Sequence, residues 1–151
     1  MNQYVLNANI LFSGVISQKV VYRTLFGDWG NVFYTPDFVL AELNNYHSVF
    51  LKRSTVKGVD LKEFTLFLLF KIIVVPDYVI TPESYRIAEE LVADIGPKDV
   101  AYVALNEELG ATVLTRDKAL HDGLRTKGYS RIKLFNEFLS QQLSESGREG
   151  Q

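Results

Sequence analysis

The chain has 151 residues, close to the usual size of one domain, and its 47% hydrophobic content is enough for a sizeable core. Its 16 basic and 18 acidic residues give a net charge of −2, so any nucleic-acid surface is a local patch, and the total neither demands nor excludes a polyanionic partner. With no cysteine, disulfides, thiolate chemistry and Cys-based zinc sites are excluded, which fits a reducing cytoplasm.

Met1 is followed within three residues by the apolar run Tyr4, Val5 and Leu6, leaving no room for the basic and apolar regions of a signal peptide. Tyr4 to Leu6 reads as a short buried strand, and Ser17 as the cap of a helix to Gly27. Val32 to Tyr34 is a second strand. Thr35-Pro36-Asp37 combines a cap, a proline suited to the first helical position and an acid favoured by the helix dipole, so a helix is expected from there to about Tyr46. Asp60 can cap a helix from Leu61 to about Lys71, and Ile72 to Val75 reads as a third strand. The apolar stretch Phe64 to Val75 is broken by Lys71 and stops at Pro76-Asp77, too short to span a bilayer, so a soluble protein is expected.

Thr81-Pro82-Glu83 repeats the helix-start signal for a helix to about Ala93, and Gly96-Pro97 opens another that closes at Gly110. Thr112 to Leu114 is a fourth strand. Thr115 and Asp117 offer caps for a helix ending near Gly128, Ile132 to Leu134 is a last short strand, and a final helix runs to about Leu143. The polar residues 144–151 read as a disordered tail. The alternation of strands and helices predicts an α/β fold: a three-layer domain over residues 1–143, with a mostly parallel sheet of about five strands and helices on both faces.

This architecture brings four polar positions to one sheet edge. Asn7 and Asp117 follow the first and fourth strands. Asp99 begins a helix running antiparallel to the fourth strand. Glu42 lies seven residues beyond Thr35, about 10 Å down its helix at roughly 1.5 Å per residue, but its side chain leans back toward the amino end. Taken alone, Asp117 is a cap, Asp99 a dipole partner and Asn7 a turn residue. Glu42 is harder to explain that way. It sits within an apolar stripe of Phe38, Val39, Leu43, Tyr46 and Phe50, where a carboxylate is costly unless compensated. Carboxylates gathered at strand ends repel unless a cation lies between them.

At these residues the sequence resembles the PIN-domain family of metal-dependent nucleases, in particular the compact type that serves as the toxin of VapBC toxin–antitoxin pairs. Val5-Leu6-Asn7-Ala8-Asn9-Ile10-Leu11 is similar to the family's opening strand motif, with Asn7 where an acid is expected. Segments 36–43, 98–105 and 114–120 resemble those bearing the second, third and fourth acids, here Glu42, Asp99 and Asp117. The resemblance spans residues 4 to 135. It implies a central parallel sheet and hydrolysis of RNA phosphodiester bonds with Mg²⁺ or Mn²⁺ held by Asn7, Glu42, Asp99 and Asp117 directly or through water. Thr115 would hold an acid or water, unless it is a simple cap. A small antitoxin would fill the acidic groove, offering an arginine to the carboxylates. Asn7 brings no charge and accepts no proton from water, so the departure implies weakened catalysis, whether natural or introduced.

Lys98, Arg116 and Lys118 flank Asp99 and Asp117 and are the candidate RNA contacts. Arg125, Lys127, Arg131 and Lys133 form a second basic cluster, read as solvated surface. His47 and His121 are too few and too dispersed for a His-based metal site, although His121, four residues beyond Asp117, could face the pocket mouth. The aromatic-rich segment Phe64 to Phe70 is either deeply buried or part of a homodimer interface. Besides the toxin nuclease, the pattern leaves room for a non-catalytic RNA-binding or scaffold protein. A phosphoacceptor receiver domain ranks last, because Asn7-Ala8-Asn9 lacks the paired acids it needs.

Overall fold

The computed structural model describes residues 2–17, 30–46, 52 and 58–149. Its elements are β1 (Asn2–Leu6), α1 (Ala8–Ser17), β2 (Asn31–Pro36), α2 (Val39–Asn45), α3 (Gly58–Lys71), β3 (Ile72–Val75), α4 (Pro82–Val92), α5 (Val100–Leu109), β4 (Thr112–Thr115), α6 (Lys118–Thr126), β5 (Ile132–Leu134) and α7 (Phe135–Glu149). Short 3₁₀ turns at Asp77–Val79 and Pro97–Asp99 complete them. The expected α/β architecture is present: five strands in the order β3-β2-β1-β4-β5, with every pairing parallel.

The central strands are apolar on both faces, with Val5, Leu6, Val113 and Leu114 fully buried, as a sheet covered on both sides requires. Phe138 of α7 packs its ring 4.8 Å from Tyr4 and 6.2 Å from Phe33. The buried Tyr102, Val103, Ala104 and Leu105 of α5 belong to the same core. From β1 the chain builds outward to β2 and β3, then returns to add β4 and β5 on the other side. The crevice beyond the carboxyl ends of β1 and β4 is therefore the topological switch point, where open α/β sheets bind their ligands.

Local signals held in some places and lost in others. Thr81 caps α4, its side chain accepting from Ser84 N–H with Pro82 next in line, and Gly110 closes α5 at φ 63°. Thr35-Pro36-Asp37 does not start a helix. Thr35 and Pro36 are the last residues of β2, in register with Val74 and Val75, and Asp37 N–H donates to Val75 O at 3.0 Å. Pairing with β3 outweighed the cap signal, and proline is tolerated because it ends the strand. The helix begins instead at Val39, behind Phe38 and without a side-chain cap.

Helix α1 was not expected. The reading placed a helix from Ser17 to Gly27, and residues 18–29 lie outside the described residues. Its buried Ala8, Ile10 and Leu11 give no one-sided apolar stripe from which to read a helix. Helix α3 begins at Gly58, placing Asp60 inside its first turn rather than at its cap. Helix α7 continues to Glu149, past the expected end at Leu143. No helix among the described residues is long and apolar enough to cross a membrane.

Candidate active site

Asn7 is the first residue after β1, and it folds back to cap α1. Its Oδ1 accepts from Asn9 N–H at 3.1 Å, and its backbone carbonyl accepts from Ile10 N–H at 3.1 Å. That contact assigns the amide, because the atom facing a backbone N–H must be oxygen. The Asn7 NH₂ group is thereby aimed away from the cap, and it donates to Asp99 Oδ1 at 3.1 Å in a bond between two buried side chains.

Asp99 ends the 3₁₀ turn and serves as the N-cap position of α5, though its side chain makes no capping hydrogen bond. The extended Gly96 makes room for it: a Cβ at that position would stand 3.0 Å from Asp99 Oδ2. Asp117 follows β4 and caps α6, accepting from Leu120 N–H at 3.1 Å. Glu42 approaches from α2. These four side chains line one pocket of about 250 Å³ at the switch point.

Lys98, Asn9, Tyr46 and Tyr102 complete the lining. Sequence reasoning missed the last three as site residues, yet two of them stand at helical spacing from one it named, Tyr46 four beyond Glu42 and Tyr102 three beyond Asp99, and Asn9 follows Asn7 in the first turn of α1. The Tyr102 hydroxyl accepts from Ala8 N–H at 3.0 Å. It thereby ties the amino end of α1 to α5, beside the parallel tie between Asn7 and Asp99.

The electrostatics are those of an anionic pocket short of cations. Burial raises the pKa of Glu42 above its ordinary value, repulsion from Asp99 adds to the rise, and Lys98 opposes it. Asp99 is likewise raised, first by burial and then by Asp117, against the hydrogen bond from Asn7 and the charge of Lys98. Burial, with Glu42 and Asp99 nearby, also pushes the Tyr102 hydroxyl well up. Asp99 Oδ2 and Asn9 Oδ1 are buried and receive no hydrogen bond from the described residues. Buried oxygens without a donor require water or a cation.

Among the described residues no group of three or more Asp, Glu or His side chains is set to hold an ion directly. The donor set fits a hard, hydrated cation: Mg²⁺ is commonly held by one or two carboxylates while keeping several waters. Asp99 with Glu42 or Asp117 meets that requirement. Asn7 presents its donor to Asp99 and its oxygen to the cap.

Other expected residues lie apart from the pocket. Thr115 is fully buried, accepts from Asp117 N–H at 3.0 Å and is not part of the pocket lining. Arg116 and Lys118 are exposed and do not line the pocket, and the Arg116 guanidinium lies 5.1 Å from the Phe135 ring centre. His121 contacts Asp122 through Nδ1 at 2.8 Å and is also outside the lining. His47 and Phe50 lie outside the described residues. The second basic cluster is engaged in structural contacts: Arg125 with Ile132 O, Lys127 with Asp94, Arg131 with Glu107 and Lys133 with Gln141.

The family model of the PIN domain matches residues 5–137. Among solved structures, the chain is similar to VapBC2 from Rickettsia felis bound to a DNA fragment from their promoter. The TM-score is 0.56 and the identity 17%, covering 87% of this chain and 96% of that one, a likeness of fold. No curated protein matches the sequence.

Proposed function

The chain belongs to the PIN-domain family, and from that premise we propose that it is a Mg²⁺- or Mn²⁺-dependent endoribonuclease of restrained activity, the toxin of a toxin–antitoxin pair acting in the cytoplasm. One observation carries the reading: Asp99, Glu42 and Asp117 share a pocket at the sheet's switch point, and a buried Asp99 oxygen there has no donor among the described residues. Asp99, with Glu42 or Asp117, would hold the ion. When bound, it supplies Lewis-acid activation of water and neutralises charge at the phosphoryl group.

The chain's own residues do the rest. Lys98 draws a phosphate to the pocket mouth, with Arg116 and Lys118 on the neighbouring surface extending the attraction. Thr115 holds the turn that aims Asp117. Asn7 fixes the Asp99 carboxylate through its NH₂ group, but it adds no charge and takes no proton, and this restrains the chemistry. The same hydrogen bond favours a second reading, a non-catalytic RNA-binding protein, because it satisfies one Asp99 oxygen without a metal.

Asn7→Asp decides between the two. As a nuclease, the variant binds Mn²⁺ at least tenfold more tightly and cleaves single-stranded RNA faster, and EDTA abolishes the gain. Unchanged metal binding and cleavage leave the RNA-binding reading.

The solved VapBC2 structure is a complex that includes an antitoxin, and this supports a small partner protein for the present chain. An arginine of that partner would pair with Glu42 and Asp99, the carboxylates least compensated here. Assembly into a homodimer is supported by α3. Phe64 and Leu68 are buried in the core, while Leu66 and Phe70, on the other face, are 57% and 77% exposed. Phe70→Asp is expected to yield monomers in analytical ultracentrifugation. If the unaltered protein is itself monomeric at high micromolar concentration, the dimer is excluded.

A further inference from the structure

Tyr102 stands on α5 one turn beyond Asp99, with 2% of its surface exposed and its ring centre 5.1 Å from that of Phe38. It lines the acidic pocket. The fold accounts for half of what its hydroxyl can do. The oxygen accepts from Ala8 N–H at 3.0 Å, the first N–H of α1, which a helix leaves without an internal partner. Asn7 serves the next two donors through Oδ1 and its carbonyl, so Tyr102 completes the cap. The proton has no such use: among the described residues nothing accepts from the Tyr102 O–H. A buried donor is costly to leave unused.

The carboxylates of the pocket do not take that proton. Burial, then the charges of Glu42 and Asp99, hold the phenol protonated, yet even Asp99 Oδ2, itself short of a donor, is not bonded to it. A cation has no need of a donor. An anionic oxygen arriving beside a cation does, and Lys98, the only basic residue among the described ones that line the pocket, is exposed at its mouth. On the buried side a neutral O–H is suited to the task, because it neither repels a cation nor competes with it for the carboxylates. Accepting from Ala8 N–H at the positive end of α1 also strengthens it as a donor. We propose that Tyr102 donates a hydrogen bond to a non-bridging oxygen of the phosphate bound in this pocket and is a further catalytic residue. This rests on the nuclease reading above and adds to it a substrate contact that the acids cannot make. Such a donor counts most where negative charge gathers on the oxygen in the transition state.

The test uses the full chain with its tyrosines labelled with ¹³C at Cζ, a nucleus whose resonance responds to hydrogen bonding of the phenol. The ligand is the dinucleotide ApA, which has a single phosphodiester, and each of its phosphorothioate diastereomers, in which sulfur, a poor acceptor, replaces one non-bridging oxygen. Mg²⁺ is present throughout. ApA is expected to shift the Tyr102 resonance, whereas one diastereomer binds more weakly and leaves it in place. Tyr102→Phe is expected to lose about 10- to 150-fold in ApA affinity, the range of a hydrogen bond to a charged group, and to bind that diastereomer as well as ApA. Loss of the Ala8 contact alone would weaken ApA and both diastereomers by one factor, preserving the sulfur effect. That outcome refutes the donation, as does a Tyr102 resonance that ApA leaves unmoved, and both leave the nuclease reading untouched. The resonance is read on the unaltered protein, so the test holds even where Tyr102→Phe fails to fold. If the unaltered protein binds neither ApA nor Mg²⁺, the nuclease reading fails and takes this inference with it.

Discussion

Helix α5 carries a carboxylate near each end, Asp99 at the amino end and Glu108 one residue from the carboxyl end, and the fold treats the two in opposite ways. The helix dipole favours Asp99 and disfavours Glu108. Yet Asp99 has its pKa raised by burial, while that of Glu108 is lowered by hydrogen bonds from Ser84 and Thr81. Glu108 Oε2 accepts from Ser84 Oγ at 2.6 Å, Thr81 Oγ1 at 2.8 Å and Thr81 N–H at 3.1 Å, closing the amino end of α4. Among the described residues, Asp99 accepts from Asn7 and has a buried oxygen with no donor. A carboxylate supplied with donors stabilises the fold, and a buried one short of them costs stability unless water or a cation compensates it.

The largest expected effect comes from adding a further carboxylate to the poorly compensated end. Asn7→Asp replaces a donor to Asp99 with a like charge, so in EDTA it is expected to lose about 3 kcal/mol, the scale of breaking a buried polar pair. Saturating Mn²⁺ should restore much of that loss. Thermal unfolding with and without the ion measures both, and a variant as stable in EDTA as the unaltered protein would show that Asn7 is not holding Asp99.

Removing the charge at that end should act the other way. Asp99→Asn abolishes Mn²⁺ binding and RNA cleavage, yet in EDTA at neutral pH it gains about 1 kcal/mol, a common size when a functional charge is given up for stability. The sign follows from the raised folded-state pKa. Ionised Asp99 costs stability above that pKa, and the cost disappears as pH falls below its ordinary value of 3.8. A loss of stability at neutral pH would contradict the assignment.

The same pair of raised carboxyls, Glu42 and Asp99, should make metal binding compete with protons. Since both titrate above their ordinary values of 4.5 and 3.8, Mn²⁺ affinity is expected to keep climbing with pH beyond 4.5. Isothermal titration across pH 4 to 7 reads the slope, and a flat profile above 4.5 would remove these two groups from the ligand set.

The smallest effect belongs to the compensated end. Glu108→Gln should lower the melting temperature and leave Mn²⁺ affinity unchanged. Because the Glu108 pKa is lowered on folding, its stabilisation is complete above 4.5 and is lost as pH falls through its folded-state value. The difference from the unaltered protein should therefore be steady near neutrality and close in acid.

Much of the arrangement around Asp99 and Asp117 was readable along the chain, because it rests on short-range rules. A strand followed at once by Asn7, a Gly96-Pro97 break before Asp99 and a Thr115-to-Asp117 cap after β4 all act within a few residues, and strand direction then brings them to one edge. The element boundaries that failed were those decided by distant partners. Thr35 and Pro36 read locally as a helix start and became strand because β3, nearly forty residues on, pairs with them. Helix α1 hid in an apolar run whose helical form depends on Asn7 capping it.

The sequence by itself determined the parallel α/β layout and the company Asn7, Glu42, Asp99 and Asp117 keep, since apolar periodicity and chain direction suffice for both. Tertiary structure alone decided which atoms meet. The Asn7 amide is turned by the Asn9 N–H so that its donor faces Asp99, Arg116 lies over Phe135 instead of in the pocket, and the Tyr46 ring leaves the core for the rim. Residue spacing constrains a side chain's position along an element. Its rotamer and its exposure depend on neighbours supplied by remote parts of the chain, which no local pattern encodes.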